Sequence, residues 1–162
     1  RPNDYHPDHR YTGVLVQDAA YMVEVPNVAP DVPPLRKTPV FLYGEDHFQR
    51  PNPFRPDIVV DITTTYAKKI LAIDAHESQF YEWMPWIGRY EKDVPTGKEE
   101  RLQWLMKLYD KPMKANIRAA MVKWYGAAKA AKAKHAEAFE VCEYGAQPNE
   151  AEIKRLFPML IK

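Results

Sequence analysis

Proline placement limits most strongly what this chain can fold into. Ten of its 15 prolines fall between Pro2 and Pro56, while the whole chain holds only 6 glycines. Proline lacks a backbone donor and clashes inside helices and central strands. The stretches 26–39 and 51–56 must therefore be loops, and regular structure has to fit around them. Between them sits the apolar run Val40-Phe41-Leu42-Tyr43, and a second, Ile58-Val59-Val60-Asp61-Ile62, follows the later stretch. Such runs predict strands covered on both faces, as in a parallel sheet.

Helical patterns surround these strands. Pro7 suits a first helical position with His6 as N-cap, and Val14, Leu15, Met22 and Val23 continue at helical spacing up to Pro26. Thr63 is placed to cap a helix that carries Tyr66, Ile70 and Ile73 on one face. Leu102, Leu105, Met106 and Tyr109 keep the same period; after Pro112 it resumes with Ile117, Met121, Trp124 and Ala128. Asn149 and Glu152 resemble a capping box before Ile153, Leu156 and Phe157. Helix, strand, strand and helix in this order predict an α/β protein. We expect residues 1–96 to form an α/β domain. Residues 97–162 would form a helical extension with a short late strand, packed on the same domain.

Composition removes several classes. With 162 residues and a mean hydropathy of −0.54, no apolar run approaches the about 18 residues that span a bilayer, so no membrane span is expected. The single cysteine, Cys142, excludes a disulfide framework within the chain and any cysteine-based zinc cluster. Cys142 follows Phe139 and Val141 in an alternating run and reads as a buried structural thiol. The net charge of +1 gives no global case for nucleic acid, and none is expected as a partner. Charge is uneven, however: residues 98–134 hold ten Lys/Arg and three Asp/Glu, a local net of +7. That stretch reads either as a solvated helix face or as a surface for an anion or an acidic partner. The opening Arg1-Pro2-Asn3-Asp4 has no targeting pattern and reads like the middle of a protein.

The sharpest cluster is Asp4-Tyr5-His6-Pro7-Asp8-His9. If Pro7 opens a helix, His6 and His9 stand three positions apart on one face. Both imidazoles would then project at the helix N-terminus, which in an α/β fold lies at the carboxyl edge of the sheet, where ligands bind. Imidazole ligates zinc, Asp8 can orient a neighbouring imidazole, and the positive helix end favours a developing oxyanion. A frayed terminus with polar capping residues is the alternative reading of the same spacing. A catalytic zinc takes three protein ligands, and this cluster supplies two at most.

Tyr5-His6-Pro7-Asp8-His9-Arg10-x-Thr12-Gly13 resembles the second zinc motif of the PIG-L/LmbE family of metal-dependent de-N-acetylases. The resemblance continues through Pro39-Val-Phe-Leu-Tyr43, Pro56-Asp-Ile-Val-Val-Asp-Ile-Thr63 and His76-Glu-Ser-Gln-Phe80, with Ala136-Glu-Ala-Phe139 fitting a late segment. It implies a Rossmann-like αβα sandwich in a cytoplasmic zinc hydrolase that removes N-acetyl groups from N-acetylglucosamine-type conjugates. It further implies His9 as a metal ligand, His6 as the residue that stabilises the oxyanion or protonates the amine, and Asp8 as its tuning partner. The family's first motif, of His-Pro-Asp-Asp type, does not occur in this sequence. We therefore expect the chain to represent the C-terminal part of the domain, to bind zinc poorly by itself, and to be inactive alone.

Other residues carry weaker signals. His76 either reaches the substrate side or is a buried, hydrogen-bonded histidine. Asp61 ends a predicted strand and serves a site or a cap. The loop from Tyr43 to His47 can line a pocket. Phe80, Trp83 and Trp86 around Pro85 suit core or subunit packing, which leaves a homo-oligomer open, or sugar stacking. The contrasting function is a non-catalytic module that binds an acidic partner through residues 98–134.

Overall fold

The computed structural model describes residues 1–160. The chain is mixed α/β and divides into two compact units. The first comprises Arg1–Val60, Ala115–Ala131 and the segment from Glu137 onward; the second comprises Asp61–Lys114 and Lys132–Ala136.

The first unit opens with α1 (Pro7–Met22), with Pro7 at its first helical position and His6 as N-cap. The proline-rich stretch after it forms no helix or strand before β1 (Leu42–Gly44). β2 (Ile58–Asp61) begins after the second proline cluster, and β3 (Ala136–Val141) comes late in the chain. The sheet order is β1-β3-β2. β1 runs antiparallel to β3 with Leu42 opposite Val141, Tyr43 opposite Glu140 and Gly44 opposite Phe139. Backbone bonds from Asp57 to Phe139 O and from Ile62 to His135 O set β2 antiparallel to β3 as well.

The parallel neighbours expected from the two early runs are thus not what forms. Ile58 and Val59 are fully buried, as the apolar run requires. Burial on both faces does not dictate the direction of a neighbouring strand, and β3 comes between the two early strands to supply the ladder for each. Gly145 allows a close approach beside β1: a Cβ there would sit 2.6 Å from the Phe41 ring and 2.7 Å from Pro39 O.

α5 (Ala115–Tyr125) buries Ile117, Met121 and Trp124 at the expected spacing, and the Trp124 indole donates to Asp57 O at 3.0 Å. The period does not run on unbroken to Ala128. Gly126, at φ +76°, stops α5 and starts the short α6 (Ala127–Lys132); glycine meets that backbone demand without steric cost. α7 (Glu150–Leu156) is capped by Asn149, whose side chain accepts from the Glu152 N–H at 2.9 Å. Only half of the expected capping box forms in this way, because the Glu152 carboxylate pairs with Lys37 at 2.9 Å.

The second unit contains α2 (Tyr66–Asp74), a π-helical turn (Ser78–Trp83), α3 (Met84–Gly88) and α4 (Lys98–Tyr109). Its core is Ile70, Tyr81 and Leu105, with Phe80, Leu102 and Trp104 packed around them. Thr63 does not cap α2. The cap position is Thr65, and the Thr63 hydroxyl instead accepts from the N–H groups of Lys134 and His135. That pairing holds the chain where it enters β3.

Candidate functional site

The motif at residues 4–9 is fixed at the N-terminus of α1 by its own side chains. His6 has the extended backbone of an N-cap, and its Nδ1 accepts from the Asp8 N–H at 3.2 Å. Asp4 folds back on the same turn. One carboxylate oxygen accepts the His6 N–H at 2.9 Å and lies 3.0 Å from His9 Nδ1. The donated His6 N–H is the chief reason the Asp4 carboxyl is held below its ordinary range, with His9 adding to it and burial opposing. The Arg10 guanidinium closes the turn by donating to Asp4 O and Tyr5 O, each at 3.0 Å.

These contacts orient the two imidazoles differently. The His6 and His9 ring centroids are 4.9 Å apart, with Tyr5 edge-on to both. A neutral His6 that accepts at Nδ1 carries its proton on Nε2, and so presents a donor there. His9 directs Nδ1 at the Asp4 carboxylate; a neutral His9 that donates there presents a lone pair at Nε2, the arrangement in which a carboxylate orients a metal-ligating histidine. Both side chains are about half exposed. The Asp8 carboxylate is 3.9 Å from His6 Nδ1, too far for a hydrogen bond, and is 86% exposed. Asp8 therefore holds His6 through its backbone amide. Sequence reasoning missed Asp4. The signal was an aspartate two residues before an N-cap, placed to accept that residue's N–H.

The motif is tied down rather than trailing. The Arg1 guanidinium, 5% exposed, pairs with Asp46 at 2.8 Å and Glu140 at 2.7 Å, and also donates to Asn52 O. Asn3 donates to Arg50 O at 2.7 Å. Residues 1–3 thus lie along the loop that leaves the carboxyl end of β1, and they form one wall of a cleft of about 620 Å³. Tyr43, Asn116, Glu140 and Tyr144 also line it. Burial, aided by the Cys142 thiol, pushes the Tyr43 hydroxyl up to about 12, so it keeps its proton at neutral pH. Cys142 is itself buried, with its thiol 3.1 Å from the Tyr43 oxygen, as a structural thiol should be.

Other expected residues are arranged differently. His76 belongs to the second unit and is exposed, with its ring edge-on to Phe80 at 6.4 Å. It is not the buried, hydrogen-bonded histidine that one reading allowed. Its neighbourhood is a surface helical turn, where the buried positions go to Ile70 and Tyr81. Asp61 accepts from the Thr63 N–H at 2.9 Å and shapes the turn after β2. The aromatic group divides: Phe80 joins the core, whereas Trp83 and Trp86 are half exposed. Among the described residues, no group of three or more His, Cys, Asp or Glu is placed to hold a metal ion, and no helix is long and apolar enough to cross a membrane. No family model matches the chain, and no solved structure matches it.

Proposed function

We propose that this chain carries the C-terminal part of a cytoplasmic, zinc-dependent N-deacetylase of the PIG-L/LmbE kind, acting on N-acetylglucosamine-type conjugates. The observation that carries the reading is the division of labour between the two imidazoles: His9 is oriented by Asp4 with Nε2 free, and His6 is held by the Asp8 amide with Nε2–H as a donor. A Rossmann-like αβα arrangement belongs to the same proposal. The antiparallel β1-β3-β2 sheet does not supply its parallel strands, which would lie elsewhere in the domain; what supports it is the apolar surface of α1, where Tyr11, Val14, Leu15 and Met22 are exposed. A further layer of the domain would cover that surface.

The residues present fit zinc in part. His9 is a well-oriented ligand, and the remaining ligands would come from elsewhere in the complete domain. The metal's contribution when bound would be Lewis-acid polarisation of the acetyl carbonyl. The chain's own part in the reaction is carried by His6, whose Nε2–H donates a hydrogen bond to the carbonyl oxygen as negative charge gathers on it and keeps its proton throughout. Asp8 keeps His6 in that tautomer. Asn3, Tyr43 and Asn116 in the cleft walled by residues 1–3 offer neutral donors suited to a sugar's hydroxyl and amide groups.

The test measures zinc content beside acetate release in the protein carrying the whole domain. His9→Ala should lose metal and activity together. His6→Ala should keep its zinc and lose about 10²–10³ in kcat, the usual cost of an oxyanion donor. If His6→Ala empties the site while His9→Ala does not, the roles are reversed. If neither change slows acetate release from any N-acetyl sugar, the reading fails.

A further inference from the structure

In the second unit, the sequence Ser78-Gln-Phe-Tyr-Glu-Trp83 winds as a π-helical turn and runs directly into α3. Closing the backbone from i to i+5 rather than i+4 is uncommon and changes which side chains share a face. Phe80 and Tyr81 turn into the core, with the Tyr81 hydroxyl 2.5 Å from Asp74. Ser78, Gln79, Glu82 and Trp83 face outward and, with Trp86 and Glu91, line a cleft of about 600 Å³. Trp83 and Trp86 stack at 5.5 Å with their planes 23° apart, and each remains half exposed. Two large rings held parallel in water at the mouth of a cleft form an exposed aromatic platform.

The cleft's charges show what kind of ligand it fits. An aromatic face rimmed by carboxylates would ordinarily draw a cation. Here the chain supplies its own cations. The Arg89 guanidinium lies 5.0 Å from the Trp86 ring centre, and that of Arg101 lies 4.8 Å from Tyr81. Arg89 does so from a left-handed backbone, φ +63°, at the C-cap of α3, a position where glycine is the usual residue. Arg89 and Arg101 thus already occupy the ring faces of Trp86 and Tyr81 that a cation would seek, and leave Trp83 uncovered beside Glu82 and Glu91. What remains open is a flat ring, two carboxylate acceptors, an amide and a hydroxyl. A pyranose matches this set: its axial C–H face is apolar and slightly positive, which suits the negative face of indole, and its equatorial hydroxyls donate to carboxylates.

We propose that the Trp83–Trp86 cleft binds a neutral saccharide ring, stacked on Trp83 and hydrogen-bonded at its edge by Glu82, Glu91 and Gln79. The inference asks for binding and not turnover, so it stands apart from the deacetylase reading.

The experiment follows the indole N–H resonances of the ¹⁵N-labelled chain during titration with cellotriose. The resonances of Trp83 and Trp86 should shift and saturate, while that of Trp124, bonded to Asp57 O, stays still. Trp83→Ala should weaken the apparent Kd by up to about 10-fold, since a ring contact of this kind is worth up to about one decade. Glu82→Gln should weaken it severalfold with Trp83 intact. Both side chains are on the surface, and an unchanged amide spectrum would verify that each variant is folded. Three results would overturn the proposal. One is the absence of saturable shifts with cellotriose. A second is tighter binding of tetramethylammonium at the same resonances, which makes the cleft a cation site. The third is movement of these resonances with protein concentration alone, which makes it a contact between copies. Acetate release is not read, so failure here leaves the hydrolase reading untouched, and the reverse also holds.

Discussion

Asp4 does more at the motif than either residue flanking Pro7. One carboxylate oxygen serves both the His6 N–H and His9 Nδ1, so the N-cap and the proposed ligand share an anchor. Because its folded pKa lies below the ordinary value of 3.8, its stabilisation is fully present above that value and is lost as pH falls through the folded pKa. The expected behaviour is a turn that loosens only in acid. Hydrogen exchange at the His6 amide, measured from pH 6 down to pH 2 and corrected for the intrinsic rate, should lose protection only below about 3.8. Asp4→Ala should remove that step, raising exchange about 5- to 10-fold above about pH 4 and matching the parent protein at the acid end, since a local bond of this kind is worth about 1 kcal/mol. Unchanged protection in the variant would mean that the Asp8–His6 contact alone holds the turn.

At the scale of elements, the joint between α5 and α6 gives the clearest test. Gly126 adopts φ +76°, and a Cβ built there meets nothing within 4 Å. Its cost would therefore be conformational alone. Gly126→Ala should destabilise the fold by about 1 kcal/mol, read as a lower denaturation midpoint with an unchanged denaturant slope. A neutral result would show that the joint relaxes into one continuous helix, as the apolar period from Ile117 to Ala128 first implied. The cap of α7 offers a second case. Asn149→Ala removes the acceptor for the Glu152 N–H and should cost about 1 kcal/mol.

For the molecule as a whole, the lone thiol is a reporter. Cys142 is 2% exposed and lies in the first unit, as does Met121, which is fully buried. Native Cys142 should react with a thiol reagent only as fast as that unit opens. Met121→Ala should cost about 2–5 kcal/mol of core packing and so speed labelling at least about 30-fold. Labelling as fast as in an unfolded control, before any mutation, would contradict the burial. The basic stretch 98–134 is also laid out at this scale. Arg101, Arg118, Lys123 and Lys129 are engaged with Tyr81, Ala130 O, Trp124 and Tyr125, while Lys98, Lys107 and Lys132 face solvent. Its residues are divided between the two units and do not make up one helical face.

The sequence by itself determined whatever depends on neighbours along the chain. Pro7 behind His6 places a helix start, Asn149 a cap, and the prolines between residues 26 and 56 the limits of two short strands, because each acts through backbone geometry within a few residues. The spacing of Ile117, Met121 and Trp124 gave a buried face for the same reason. Only the tertiary structure decided what depends on partners distant in sequence. β3, about 80 residues beyond β2, came between the early strands and set their direction. Thr63 turned from α2 to Lys134 and His135. Phe80 and Trp83 were sent to different faces within one π turn, and the Asp4 carboxylate, not that of Asp8, closed on His9. Hydrophobic periodicity reports that a face is buried. Which strand pairs with it, and which of two nearby carboxylates reaches an imidazole, depend on distances that form only when the chain closes on itself.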